Sequence, residues 1–178
     1  ALLATNPSVN AQGVTHNRLL LYKPGSALVV ADSLRSSEEH TYKSYFQFGP
    51  EFGLQATDAG VRLFTGPDEV QVFNESTVTL QREVFRGEDD PLLGYVWEDF
   101  RDREPRWVET TTAHGSNVDN VTTLSFDPKV EYRASAATPI GDATTFTLSE
   151  DGVAKKALVV TRTEGQISIQ ETALPYGG

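Results

Sequence analysis

Three histidines, His16, His40 and His114, are the only imidazoles this chain offers to acid–base or metal chemistry. No two of them fall in a His-x-His or His-Glu-x-x-His spacing, the pattern that puts two imidazoles on one metal. A metal site would need one of them joined over long range by Asp or Glu. There is no Gly-x-Ser-x-Gly elbow and no phosphate-cradling glycine loop. With no cysteine in the sequence, a thiol nucleophile, a disulfide and a thiolate metal site are all excluded.

Two clusters remain. His40 and Tyr42 lie two residues apart in a strand-like run, so they share a face and could do acid–base work. The plainer reading, which we favour, packs them with Phe46 and Phe48 against a second sheet, with their polar tips hydrogen-bonded. The aromatics Tyr95, Trp97, Phe100 and Trp107 could form a platform for the flat faces of sugars, although core packing is the commoner fate of tryptophan in a β domain. The candidate substrate-binding residues are thus Trp97, Trp107, Tyr95 and His40. Glu88-Asp89-Asp90 and Glu98-Asp99 lack the spaced Asp/Asn and terminal Glu of a calcium loop, and read as solvated acidic loops. The sequons at Asn74 and Asn120 would matter only in a eukaryotic secretory host.

The elements that would position these residues are strands. Arg18 to Tyr22 and Ala27 to Asp32, separated by Lys23-Pro24-Gly25-Ser26, read as a hairpin. Both runs are nearly continuously apolar, which predicts cover on both faces. After the polar stretch Ser33 to Glu39, strict alternation from His40 puts Tyr42, Ser44, Phe46 and Phe48 on the same face as His40, and Thr41, Lys43, Tyr45 and Gln47 on the other. Further short runs are predicted at 60–64, 69–73, 77–83, 106–113, 120–126, 130–134, 144–149, 157–162 and 166–171. The stretch 86–105 reads as an ordered loop pinned by its aromatics, with a short helix through 93, 96, 97 and 100 as the alternative. This rhythm predicts an all-β fold, an antiparallel β-sandwich of two large twisted sheets, over a single domain spanning 1–178.

Composition narrows the partners. Asp and Glu outnumber Lys and Arg by 25 to 15, a formal net charge of −10. That balance argues against nucleic acid, whose affinity runs through Lys and Arg contacts to phosphate. It also argues against this domain as the main grip on a highly sulfated polyanion, though a local basic pocket could override the long-range field. No apolar run approaches the roughly 18 residues of a membrane span. The opening Ala1-Leu2-Leu3-Ala4 lacks the charged leader and apolar core of a signal peptide. Without Met at the start, the chain reads as a cut-out of a longer polypeptide or a processed product.

Two stretches carry a resemblance. The first runs from His16-Asn17-Arg18-Leu19-Leu20-Leu21-Tyr22 through Ala27-Leu28-Val29-Val30-Ala31-Asp32-Ser33-Leu34 to His40-Thr41-Tyr42 and Phe46-Gln47-Phe48-Gly49-Pro50. The second comprises Gly94-Tyr95-Val96-Trp97, Glu104-Pro105-Arg106-Trp107 and Asn120-Val121-Thr122-Thr123-Leu124. In order and spacing they are similar to the sandwich of the heparinase II/III family over roughly residues 15 to 126. Tyr95 stands where that family often has tryptophan.

The resemblance implies a polysaccharide lyase built from an α-helical toroid followed by a β-sandwich, cleaving uronic-acid-containing glycans by β-elimination. In such proteins the catalytic Tyr and His or Asn sit on the toroid, with a further His early in the sandwich. None of these motifs is present, so no catalytic residue is carried over. No cofactor is expected beyond a structural zinc in the full-length parent, with His16 the only position that echoes a metal-site histidine. The implied partners are the parent's α-helical catalytic domain and a polysaccharide, with no nucleic acid and no membrane span. The implied setting is a bacterial exported protein, periplasmic or extracellular. The alternative reading is a non-catalytic carbohydrate-binding or structural β-sandwich module.

Overall fold

A computed structural model describes residues 2–5, 12–97, 102–127, 129–137, 140, 143–163 and 166–174. Every regular element among them is a strand. In chain order these are β1 (Leu2–Thr5), β2 (Val14–Lys23), β3 (Ala27–Gln47), β4 (Gly53–Thr57), β5 (Gly60–Thr65), β6 (Asp68–Ser76), β7 (Leu80–Arg86) and β8 (Glu88–Asp89). They continue as β9 (Leu92–Leu93), β10 (Tyr95–Trp97), β11 (Arg103–Pro105), β12 (Trp107–Ser125), β13 (Tyr132–Ala136), β14 (Ala143–Glu150), β15 (Val153–Thr163) and β16 (Gln166–Ala173). No described helix is long and apolar enough to cross a membrane.

The pairings are antiparallel throughout. A large sheet runs β1-β2-β3-β12-β6-β5-β4, with β7 attached to β12, and a smaller sheet runs β13-β14-β15-β16. The two pack face to face as a β-sandwich. Leu19, Val29, Ala31 and Val121 of the large sheet share a buried core with Ala134, Phe146, Leu158 and Val160 of the smaller one.

The large sheet is also doubled over. Strand β12 pairs β7 through its first half, Trp107 to Ala113, and β6 through its second half, Asn120 to Ser125. Phe46, Val84 and Trp107 from the first half of that layer pack with Val61, Leu63 and Val72 from the β5–β6 half. The fold line falls at a break in the β3–β12 ladder, where His40 pairs with Gly115 but Arg35 pairs with Asn117. Residues 36–39 of β3 are therefore set against Ser116 alone, a large bulge of the kind that bends the bulged strand.

This bend revises the strand assignment. The expected separate strands at 27–32 and 40–48 are one strand of 21 residues, and those at 106–113 and 120–126 are one of 19. Cover on both faces holds for the hairpin's second arm, where Val29 through Leu34 are buried without interruption. The alternation from His40 also holds, with Thr41, Lys43, Tyr45 and Gln47 exposed and the intervening residues turned inward. In the 86–97 segment the described residues form short strands rather than a helix, and Phe100 lies outside the described residues.

Candidate functional site

Tyr95 and Trp97 stand two residues apart on β10, which pairs with β11 so that Trp97 lies opposite Arg103. That spacing directs both rings to one side of the short ribbon. Arg103 lies over the Tyr95 ring at 4.3 Å and pairs with Asp89 at 2.7 Å. The Tyr95 hydroxyl donates to the Gly87 carbonyl at 2.7 Å. Trp97 is 54% exposed, a large apolar ring left to solvent beside a cation–π pair. Nothing in the sequence marked Arg103, because its approach to Tyr95 depends on a register that appears only on folding.

Gly94 fixes this ribbon. Its φ is +76°, and its carbonyl accepts both Gly87 N at 3.1 Å and Arg106 N at 2.8 Å. A Cβ here would meet the Arg106 carbonyl at 2.8 Å and Gly87 N at 2.9 Å, so only glycine fits without rearrangement.

Trp107 and His40 sit elsewhere. Trp107 opens β12 and is half-buried against the cluster around Phe48 and Val72, with Arg86 over its ring at 5.3 Å. His40 is half-buried, its Nε2 3.1 Å from Ser36 Oγ and its ring 6.0 Å from that of Tyr42. His40 pairs with Gly115, eight residues along β12 from Trp107, which at strand rise is roughly 25 Å. The structure therefore joins Tyr95 and Trp97, and does not bring Trp107 and His40 together. On the face that His40 shares, Tyr42 and Phe46 pack against buried clusters, while His40 itself stays half-buried.

His16 lies in an ion-pair cluster. Its Nε2 is 2.7 Å from Asp32 Oδ1, while Arg18 donates to both oxygens of Asp32, at 2.7 and 2.8 Å. Burial alone would push the Asp32 carboxyl up, but the hydrogen bonds from His16 and Arg18 outweigh it and hold the group below its ordinary range. The guanidinium spans both carboxylate oxygens, and Oδ1 also takes His16. Among the described residues no three His, Cys, Asp or Glu side chains gather as a metal site. Among the described residues, His16 thus has one carboxylate beside it, Asp32, as a potential co-ligand.

Inside the doubled sheet lies a second buried carboxylate. Glu109 is 1% exposed, accepts a hydrogen bond from the Asn74 amide at 2.8 Å, and has no described donor to Oε2. Burial raises its carboxyl above the usual range, against the smaller opposing effects of Asn74 and Arg82.

An antiparallel sandwich with a doubled sheet and an aromatic ribbon at its margin is the class that the geometry defines. The family model for "Heparinase II/III-like, C-terminal" matches residues 5–117, well over half of the 178-residue chain. The chain belongs to that family. Among solved structures it is similar to a heparan sulfate lyase HepC mutant from Pedobacter heparinus, with a TM-score of 0.64 at 12% identity, covering 97% of this chain and 26% of that one. It is also similar to two structures of a heparinase III gene product. The TM-scores are 0.56 at 14% identity and, for the form with methylated lysines, 0.54 at 13%; each covers 97% of this chain and 25% of that one. At these identities the likeness shows the fold alone, and the chain spans about a quarter of those proteins' length. No curated protein sequence matches it.

Proposed function

We propose that this chain is the sandwich part of a polysaccharide lyase that cleaves uronic-acid-containing glycans by β-elimination, and that it does not itself cleave. The reaction needs a base for the proton beside the carboxylate, a group to neutralise that carboxylate and an acid for the leaving oxygen. We assign these to an α-helical catalytic domain of a longer parent, against which the sandwich presents a sheet face and its loops. The observation that carries this reading is the family match over residues 5–117. The His40–Tyr42 pair, turned inward and half-buried, is poorly placed to reach a polymer, which favours assigning the chemistry elsewhere. A polymeric substrate outside the cell fits a bacterial parent that is exported to the periplasm or beyond.

In this reading Trp97 and Tyr95 touch the glycan, while Trp107 and His40 support the layers behind. Purified parent protein, incubated with a panel of uronic-acid glycans differing in sulfation, tests it through the ultraviolet absorbance of unsaturated uronate. Product from at least one glycan is expected; none from any member of the panel counts against elimination. A second reading, a non-catalytic carbohydrate-binding module, is favoured by the 54% exposure of Trp97, and predicts glycan binding without product.

A further inference from the structure

In a regular strand the adjacent side chains of Lys155 and Lys156 would point to opposite faces. Here the β14–β15 ladder slips: Leu148 pairs with Lys156, while Ser149 pairs with Ala154. Lys155 is the extra residue of a β-bulge, a feature that re-aims a side chain. Both lysines line one cleft as a result. The carbonyl of Lys155 accepts Leu174 N at 2.9 Å, which ties the bulge to the end of β16.

The cleft, about 480 Å³, opens between the β2–β3 turn and the smaller sheet. Lys23 reaches across its mouth from the turn, donating to the Tyr132 hydroxyl and to Glu150, each at 2.9 Å. Lys156 pairs with Glu171. Three of the chain's five lysines thus converge on one opening, where they meet two glutamates. With Arg133, four cationic side chains and two carboxylates are found among the described lining residues, on a protein of net charge −10. Leu21, Leu148 and Leu158 line the cleft, and Tyr22, 64% exposed, stands at its margin.

A concave apolar surface with a few convergent charges is the usual build of a small-ligand site. Tyrosine rings suit the apolar face of a sugar, and ammonium groups suit its carboxylate or sulfate. We propose that this cleft is a subsite for an anionic sugar of the glycan chain, with the bulge supplying the paired lysines that grip it. The inference rests on the reading of the parent as a lyase of uronic-acid glycans, and gives the sandwich a grip on the polymer besides Trp97.

The test is titration of this chain with hexasaccharides of alternating uronic acid and N-acetylhexosamine, sulfated and unsulfated, followed by calorimetry and by NMR of the lysine side chains. The Lys23, Lys155 and Lys156 signals are expected to shift, with Lys43 and Lys129 unmoved. A Lys155→Ala/Lys156→Ala variant that melts like the native chain should bind roughly tenfold or more weakly, the scale of lost charge-assisted contacts, while Lys43→Ala binds normally. The subsite is overturned if the three signals stay put, if all five shift alike, if the double variant binds as before, or if an alkyl sulfate binds and the sugars do not. Assaying the parent on the same glycan separates the two claims. Cleavage by the parent with silent lysines sinks the subsite alone. Lysine-dependent binding beside a parent that makes no unsaturated product keeps the subsite and sinks the lyase reading.

Discussion

The side-chain amide of Asn74 donates to the carboxylate of Glu109 at 2.8 Å, joining β6 to the first half of β12 across the interior of the doubled sheet. Asn74 in turn accepts from the Thr122 hydroxyl at 2.8 Å, so one amide couples both halves of β12. A buried chain of this kind specifies how the layers meet, at the cost of holding a carboxylate away from water.

Glu109→Gln keeps the contact with Asn74 and removes the charge that burial penalises, so it is expected to stabilise the protein at neutral pH, by roughly 1–3 kcal/mol less the cost of the new amide's unpaired donors. Because burial raises the folded carboxyl above its unfolded value, the native chain is most stable below the ordinary glutamate range. It loses stability as pH rises through that range toward the raised folded value. Urea denaturation across pH should show the variant ahead at pH 7 and level with the native protein in acid.

Asp32 carries the opposite sign. Its folded carboxyl is held low, so its contribution is present above the ordinary aspartate range and is lost as pH falls through the folded value. Asp32→Asn should cost roughly 1–3 kcal/mol at pH 7, with the exposed part of Arg18 moderating the loss. The two denaturation curves should converge on acidification. A constant gap down to low pH would deny the ion pair this role.

Gly94→Ala should cost on the order of 1–3 kcal/mol, since the left-handed backbone and the close approach of the Arg106 carbonyl both oppose a side chain. The disturbance should reach Trp97 through β10. The chain has two tryptophans, so fluorescence in a Trp107→Phe background isolates Trp97 and reads its change of environment directly.

Trp97→Ala should leave the melting temperature nearly unchanged, within about 0.5 kcal/mol of stability, because the ring is more than half exposed. Glycan binding should nevertheless fall about tenfold, the loss of one aromatic contact. Equal binding by both proteins would remove Trp97 from the glycan surface.

The legible part of the fold was the part written in alternation. The inward set His40, Tyr42, Ser44 and Phe46 follows from period two alone, and the hairpin around Pro24-Gly25 from turn chemistry. The length of β3 was hidden because Ser33 to Glu39 reads as a polar connector. Arg35 in fact stays in the ladder and pairs with buried Asp119 at 2.6 Å, while residues 36–39 leave the β3–β12 pairing at the bulge, with Ser36 still opposite Val14 of β2. Strand β4 was missed because Gly53-Leu54-Gln55-Ala56-Thr57 alternates weakly and is held by its pairing with β5. At the candidate site, composition singled out Tyr95 and Trp97, but the arginine over Tyr95 and the slip at Lys155 are properties of register. A one-residue shift in pairing leaves no mark on the sequence.

The most direct measurement is the elimination assay run side by side on the parent protein and on this chain, with the mass of each determined beforehand. A longer parent that generates unsaturated uronate is expected, together with a chain that binds the same glycan while generating none. A parent no longer than this chain that cleaves nothing, or a chain that cleaves on its own, would contradict that expectation.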